Sequence, residues 1–468
     1  MSTINTNVSS LIAQRVLKRN NNDLNTSLAR LSTGLKINTG ADNPAGLIAS
    51  ENLRSEKAGI TTAIDNAERA SNIIGTAEGG LNEISSLLVQ VQGLVNQSAN
   101  TGGLSPEETS ANQLQVDSIL QTVNRIAQST AFQGTKLLNG NYDYTTSSTA
   151  TSATQNLRVN SARVPDGSKV SVVVQVTTSA QTGTLSYTGG AISGATVTLE
   201  VSGNSGTEQL SFASGTSVSS IATAINGVKN ATGVSASVAG GTLTVNSTGY
   251  GAKQFVGLRA LTGTVTGLST TKDFGRDASV TVNGAAAQVD GLKVSYRSSS
   301  LDIEFDLNKT ANINNRSKTF GVTGGGATFA LGSKVTEGDK ASIGIGSVST
   351  GSLGDSTLGF LSTLGSGGTN SLSSTNLVAA QKIVDTAVKQ VSQLRGRLGA
   401  FQKFTIGSTV NSLGVAYENA SAAESAIRDT DFASETANLT RNQILSQAAQ
   451  TVLGQANAAP QAALQLLR

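Results

Sequence analysis

Apolar positions follow helical spacing at both ends of the chain and alternate by two in the middle. Between Thr3 and Thr33 there is no glycine or proline, and Leu17, Leu24, Leu28, Leu31 and Leu35 mark one face of a helix. Gly34 and Asn38-Thr39-Gly40 punctuate its end. A second helix is predicted after Asp42-Asn43-Pro44. Its stripe is Ile60, Ile64, Ala67, Ile74, Ala77, Leu81, Ile84, Leu88, Val91 and Val95, with one polar gap at Ser71. That is a seam of about five heptads, and a helix from Ala45 to Ala99 would run about 80 Å at 1.5 Å per residue. A third helix starts at Ser105-Pro106-Glu107-Glu108, which supplies an N-cap, a proline at the first helical position and the glutamate of a capping box. Val116, Leu120, Val123 and Ala127 form its stripe, and a short hairpin is expected near Gly134 and Asn139-Gly140.

The carboxyl end repeats the helical pattern. Ala380, Val384, Ala387, Val391, Leu394, Leu398 and Phe401 form one seam. Ile406, Val410, Leu413, Tyr417, Ala420 and Ile427 form another, and the step from 401 to 406 shifts the phase between them. A last amphipathic segment from Phe432 to about Asn457 carries Leu439, Leu445, Ala448, Val452 and Ala456, with Pro460 expected to end it.

The middle reads differently. Residues 195–201 (ATVTLEV) and 301–307 (LDIEFDL) alternate as half-buried strands do, and Gly240-Gly241 and Asn283-Gly284 are hairpin turns. One helix is expected between Ser217 and Val228, inside a strand–strand–helix–strand–strand unit at about 195–250. Residues 145–154 and 365–374 read as low-complexity linkers. Glycine sharpens the partition: 34 of the 51 glycines lie between residues 141 and 370, so a turn-rich insert separates two helix-compatible ends.

Composition removes most chemistry. The chain of 468 residues has no histidine, cysteine or tryptophan, which excludes imidazole and thiolate metal sites, Ser–His and Cys–His pairs and disulfides. Gly324-Gly325-Gly326 lacks the Lys-Ser/Thr of a phosphate loop. The acidic pairs Glu107-Glu108 and Asp429/Asp431 stand at helix starts, where carboxylates cap rather than catalyse. No catalytic, cofactor or metal residue is therefore nominated. A net charge of +3 is no nucleic-acid footprint. No apolar run is long enough for a cleaved signal or a membrane span, so neither is expected.

The two outermost helices pose a physical problem. Each has a single apolar stripe among many Asn, Thr, Gln and Ser residues, with Asn20, Asn21 and Asn22 in one turn. Helical stability comes mostly from packing an apolar face, so such helices are expected to be largely disordered in a free monomer and to fold when other copies bury them.

Several runs then carry a resemblance to bacterial flagellin. At the amino end these are Ile4-Asn5-Thr6-Asn7, residues 28–38 (LARLSTGLKIN), 42–47 (DNPAGL), 97–100 (QSAN) and 132–138 (FQGTKLL). At the carboxyl end they are residues 427–433 (IRDTDFA), 443–445 (QIL), 452–457 (VLGQAN) and Leu466-Leu467-Arg468. Residues near 195–258 are similar to the insertion motif of flagellins and hook proteins. The resemblance implies an α+β multidomain fold: long coiled-coil helices from both termini form a helical core, and β-rich outer domains are inserted between them. The implied organisation is an inner-tube helix at 1–42, a helical core with a short hairpin at 43–142 and a surface-exposed β-rich insert at 143–370. Two subdomains are expected in that insert, at about 160–268 and 269–355. A second core segment at 371–428 and a carboxyl-terminal inner-tube helix at 429–468 complete it.

The implied function is a structural, non-enzymatic subunit of the flagellar filament. It would be exported unfolded through the flagellar type III apparatus without a cleaved signal and assembled outside the cell. Implied partners are further copies of the chain, an export chaperone at the carboxyl-terminal helices, and the hook-junction and cap proteins; no cofactor, nucleic acid or membrane is implied. One segment departs from the family pattern. Flagellins recognised by the vertebrate innate receptor carry arginines where Gln90 and Gln92 stand and a glutamate at Gly93, so weak or absent recognition is expected. The alternatives are a hook–filament junction protein and a β-domain adhesin on a helical stalk. A zinc-protease insert fails for want of histidine.

Overall fold

The computed structural model describes residues 6–100, 102–147, 154–165, 168–192, 194–263, 267, 271–374 and 376–465, with side chains as far as residue 458. Residues 1–5, most of the 145–154 stretch and Leu466-Leu467-Arg468 lie outside that set. The described residues fall into two compact units, one within 1–69, 330–339 and 406–468, the other within 70–329 and 340–405.

Among the described residues six long helices belong to the two ends: α1 (Val8–Thr33), α2 (Pro44–Ser98) and α3 (Pro106–Ser129) to one, and three to the other. Local chemistry sets their bounds. Asn7 caps α1 through its side chain, and Gly34 closes it at φ 72°, a left-handed conformation that glycine adopts without penalty. Asp42 accepts hydrogen bonds from the amides of Asn38 and Thr39 and the Thr39 hydroxyl, and these hold its carboxyl below the usual range. The turn before α2 is thereby fixed. Both halves of the capping box at α3 are present: the Glu108 amide donates to the Ser105 hydroxyl, and Glu108 accepts from the Ser105 amide at 2.8 Å. Past α3, the hairpin of β1 (Ala131–Phe132) and β2 (Thr135–Lys136) turns at Gln133 and Gly134, both with positive φ.

The insert corrects the expected pair of consecutive subdomains. The chain first lays down β3 (Tyr144–Thr146), β4 (Thr154–Ala162) and β5 (Val170–Thr178). It then builds a second unit from β6 (Thr184–Tyr187), β7 (Val197–Gly203), β8 (Gly206–Phe212), α4 (Val218–Gly227), α5 (Lys229–Thr232), β9 (Val234–Ala239), β10 (Thr242–Ser247), β11 (Phe255–Thr262) and β12 (Lys272–Phe274). It returns as β13 (Ser279–Val282), β14 (Ala285–Ala286), β15 (Gln288–Asp290), β16 (Lys293–Arg297), β17 (Leu301–Leu307) and β18 (Arg316–Gly325).

The returning strands pair with the first ones. One sheet has the order β14-β13-β5-β18-β3 and the other β15-β16-β17-β4, closing a core around Val172, Val282, Ile303, Phe305 and Val322. The inner unit has its own sheets, β6-β10-β9 and β12-β11-β7-β8, and its own core with Leu199, Ile221, Ile225, Leu243 and Leu258. One unit is therefore nested inside the other, and a cut at 268/269 would sever strands that share a core. The inner unit leaves and re-enters at one place: Gln181 and Arg276 pair as an antiparallel bridge, amide to carbonyl at 2.8 and 3.0 Å.

Residues 365–374 are packed rather than slack. Gln113 on α3 donates to the Leu364 carbonyl at 2.9 Å and accepts from the Leu372 amide at 2.7 Å, and Asp117 accepts from the Ser366 amide and hydroxyl. Leu361, Leu364 and Leu372 are buried beside them. The remaining long helices are α6 (Leu377–Ala400), α7 (Gly407–Arg428) and α8 (Phe432–Gln465). Between α6 and α7, Phe401–Ile406 is a π-helical turn, which accounts for the phase step in the apolar pattern there. The expected stop at Pro460 is a second correction, since α8 continues through it to Gln465. Proline supplies no N–H to the carbonyl four residues earlier, and that carbonyl, on Ala456, instead accepts from the Asn7 side chain at 2.7 Å.

Candidate self-assembly surface and helical seam

In the first unit α1 and α8 lie antiparallel, and the contact between them is made of small and polar residues. Ser10, Ala13 and Ser27 of α1 are buried, as are Glu435, Ser446 and Ala449 of α8. Side-chain hydrogen bonds cross at several levels: Ser10 to Asn457 at 2.6 Å, Asn20 to the Leu445 carbonyl at 3.0 Å, Ser446 to Asn21 at 2.7 Å and Asn442 to Ser27 at 3.2 Å. Arg30 sits 3.8 Å from Glu435. Each terminal helix thus covers part of the other, which the apolar pattern alone does not disclose.

The apolar stripes face elsewhere. None of Leu17, Leu24, Leu28, Leu31, Leu35, Leu439, Leu445, Ala448, Val452 and Ala456 is buried: Leu28, Leu445, Ala448 and Val452 are exposed and the other six half-buried. Val8, Leu11, Ile12, Val16 and Ile444 are also exposed. Ile12, Ala13, Val16, Leu445, Ala449 and Val452 line an apolar groove of about 290 Å³ between the two helices. Monomeric proteins rarely leave so continuous an apolar strip in water. The expected second carboxyl seam is likewise only partly covered: Ile406 and Ala420 are buried, while Val410, Leu413 and Ile427 are half-buried and Tyr417 is exposed. Lys57 bonds Glu424 at 2.8 Å and lies 5.3 Å from the Tyr417 ring centre, tying α2 to α7 within this unit.

The second unit holds a seam of the opposite character. Ile74, Leu81, Ile84, Leu88, Val91 and Val95 of α2 are buried, together with Val384, Val391, Leu394 and Leu398 of α6. Polar pairs flank it: Arg395 to Glu78 and Gln92 to Asp385, each at 2.8 Å. The gap at Ser71 is filled by Gln402 of the π-helical turn, which donates to its hydroxyl at 2.8 Å. On the same stretch of α2 Gln90 and Gly93 are exposed, whereas Gln92 is half-buried and engaged by Asp385.

The second unit also buries charge. Asp143, Asn156, Arg158, Asn160, Gln390 and Arg397 line a cavity of about 280 Å³. Burial pushes the Asp143 carboxyl up and both guanidiniums down. Asp143, Asp302 and Glu304 act on these arginines with opposite charge, so the cluster balances its own charge. Among the described residues no acidic group cluster suits a metal ion, and no helix is long and apolar enough to cross a membrane.

The described residues thus hold a terminal helix pair with exposed apolar side chains, a buried helical seam and a β-rich insert, the parts of a structural protein. Residues 4–143 match the bacterial flagellin N-terminal helical region, 381–467 the bacterial flagellin C-terminal helical region and 198–249 the flagellin hook IN motif. Flagellin D of Vibrio anguillarum is 32% identical over 464 residues, 99% of each chain. B-type flagellin of Pseudomonas aeruginosa is 30% identical over 527 aligned positions, covering 100% of this chain and 99% of its own. The solved structure of FliC from Burkholderia pseudomallei aligns over 71% of this chain and 99% of its own, at 16% identity and a TM-score of 0.25. The chain belongs to the bacterial flagellin family. It is a structural subunit of the flagellar filament that drives swimming, and flagellins as a family self-assemble into that extracellular polymer.

Proposed function

We propose that the antiparallel α1–α8 pair is the element through which copies of this chain assemble, and that the α2–α6 seam is intramolecular scaffold. The uncovered stripe from Val8 to Leu28 and from Ile444 to Val452 carries this reading. Burying each of those side chains against a neighbouring copy supplies roughly 1.5–3 kcal/mol, enough over a few residues to offset the ordering of two polar helices. Export through the flagellar type III apparatus, an export chaperone on α7 and α8, and assembly between the hook-junction and cap proteins belong to the same proposal. The subunit transmits force and catalyses nothing.

Electron microscopy of purified protein after seeding tests it. Helical tubes are expected, and a chain that stays monomeric under every seeding condition overturns the proposal. Protein that forms no tubes alone and is a minor band in sheared flagella would be a junction protein.

The Gln90-Gln92-Gly93 segment gives a further expected result. With no guanidinium at 90 or 92 and Gln92 already bonded to Asp385, monomeric protein stimulates innate-receptor reporter cells at least tenfold less than an arginine-bearing flagellin (about 1.4 kcal/mol of binding). An equal response at equal dose would refute this.

A further inference from the structure

The α1–α8 contact poses a question of register. Apart from Glu435, which faces Arg30 near one end, its buried positions are Ser10, Ala13, Ser27, Ser446 and Ala449, small side chains that let one helix slide along another at little cost. A hydrogen-bonding pair sets register in such a seam only if a slipped alignment leaves it without a partner. Most carbonyls along α8 offer no such discrimination, because each already accepts from the amide four residues on. Ala456 differs. Its partner amide would belong to Pro460, which has none, so in the interior of α8 this carbonyl is freed by the sequence itself. The Asn7 Nδ2 donates to it at 2.7 Å.

The other end of the same amide is also engaged. Asn7 Oδ1 accepts from the Ser10 amide at 3.0 Å and caps α1. One planar group thus caps the start of one helix and completes the hydrogen bonding of the other, and only a carboxamide supplies an acceptor and a donor so disposed.

We propose that Asn7 and Pro460 form a register clasp: the proline exposes one carbonyl, the asparagine reads it, and the match fixes the alignment of the two terminal helices that other copies must recognise. A slip of one turn trades the free carbonyl for one that already accepts from its own helix, as Leu445 does where Asn20 meets it, and takes the donor away from Ala456. The clasp rests on the assembly reading above and refines it, and Asn7 acts as a positioning residue through the α1–α8 groove rather than by contact with a neighbour.

The test is a cycle in the full-length chain. Asn7→Asp retains the cap acceptor and removes the donor, Pro460→Ala restores the amide, and the double variant combines them. The chain has no cysteine, so Ser10→Cys with Asn457→Cys, whose native side chains meet at 2.6 Å, adds a register probe read as disulfide yield at fixed oxidation time. Asn7→Asp is expected to lower both that yield and the seeded elongation rate by roughly three- to tenfold, the worth of one half-buried hydrogen bond. Pro460→Ala, which gives the Ala456 carbonyl an amide of its own helix, is expected to lower both by a similar factor and to add little on top of Asn7→Asp, because the two changes break one and the same pair. Unchanged yield in either single variant, or a double variant in which the two losses multiply, overturns the clasp. The disulfide is read on the monomer, where a wild-type yield well above that in denaturant shows the pair formed without polymer and a yield no higher overturns the clasp; failure of the wild-type chain to form tubes counts against the assembly reading alone.

Discussion

Replacing Leu445 and Val452 by serine is expected to abolish seeded growth of the polymer at wild-type concentrations while the melting curve of the monomer stays in place. The two side chains are 45% and 55% exposed in the single chain, so serine there removes little that the monomer uses. Buried against a neighbour, each contributes roughly 2 kcal/mol, and losing both costs on the order of 4 kcal/mol per subunit added. That is about a thousandfold rise in the critical concentration. Turbidity and electron microscopy across a concentration series read the effect, and circular dichroism of the same samples reads the fold. Growth at the wild-type critical concentration would remove the terminal pair from the assembly surface. A large drop in monomer melting temperature would show that the stripe is covered from within.

The opposite pattern is expected at the seam. Leu88 is fully buried between the flanking polar pairs, and Leu88→Ala should cost about 2–5 kcal/mol through lost burial and the cavity left behind. The denaturant midpoint should fall with its slope unchanged, the mark of a stability change rather than a looser denatured state. At temperatures where the variant remains folded, its elongation rate should match the wild type. A shift under about 0.5 kcal/mol, the size expected of a surface change, would mean the α2 stripe is not the core it looks to be. Together the two variants separate surface the chain keeps for others from surface it uses itself.

What was legible beforehand depended on how far a signal lay from its cause. The Ser105 capping box, the Asn283-Gly284 and Gly240-Gly241 turns and the strand at 301–307 are local, and the structure has each where the residues placed it. The break at 401–406 was visible as a change of phase, though not as a π-helical turn. Three features escaped because their partners are remote. The 365–374 stretch looks like a linker until Gln113 and Asp117, some 250 residues earlier, are seen to hold it. Pro460 looks like a stop until Asn7 takes the carbonyl it leaves open. The nesting of the β units depends on β4 and β5 pairing with β17, β13 and β18 across more than a hundred residues, and periodicity carries no information about which strand finds which. The contact between α1 and α8 escaped for another reason. Serine, alanine and asparagine hold it together, and an apolar stripe is silent about faces made of those.

The bridge between Gln181 and Arg276 has a practical corollary. The chain departs and comes home through that hydrogen-bonded rung, and beside it Asp277 accepts from the Ala252 amide while Tyr250 packs against the outer core. The stretch between Gln181 and Arg276 is thus a module with its own core, entered and left at one place. Replacing it by another folded module while keeping these anchors is expected to leave the strands beneath paired as they are. A module joined in this way answers mainly to its own core around Leu199, Ile221 and Leu243, so its sequence can change without disturbing the helices at either end of the chain.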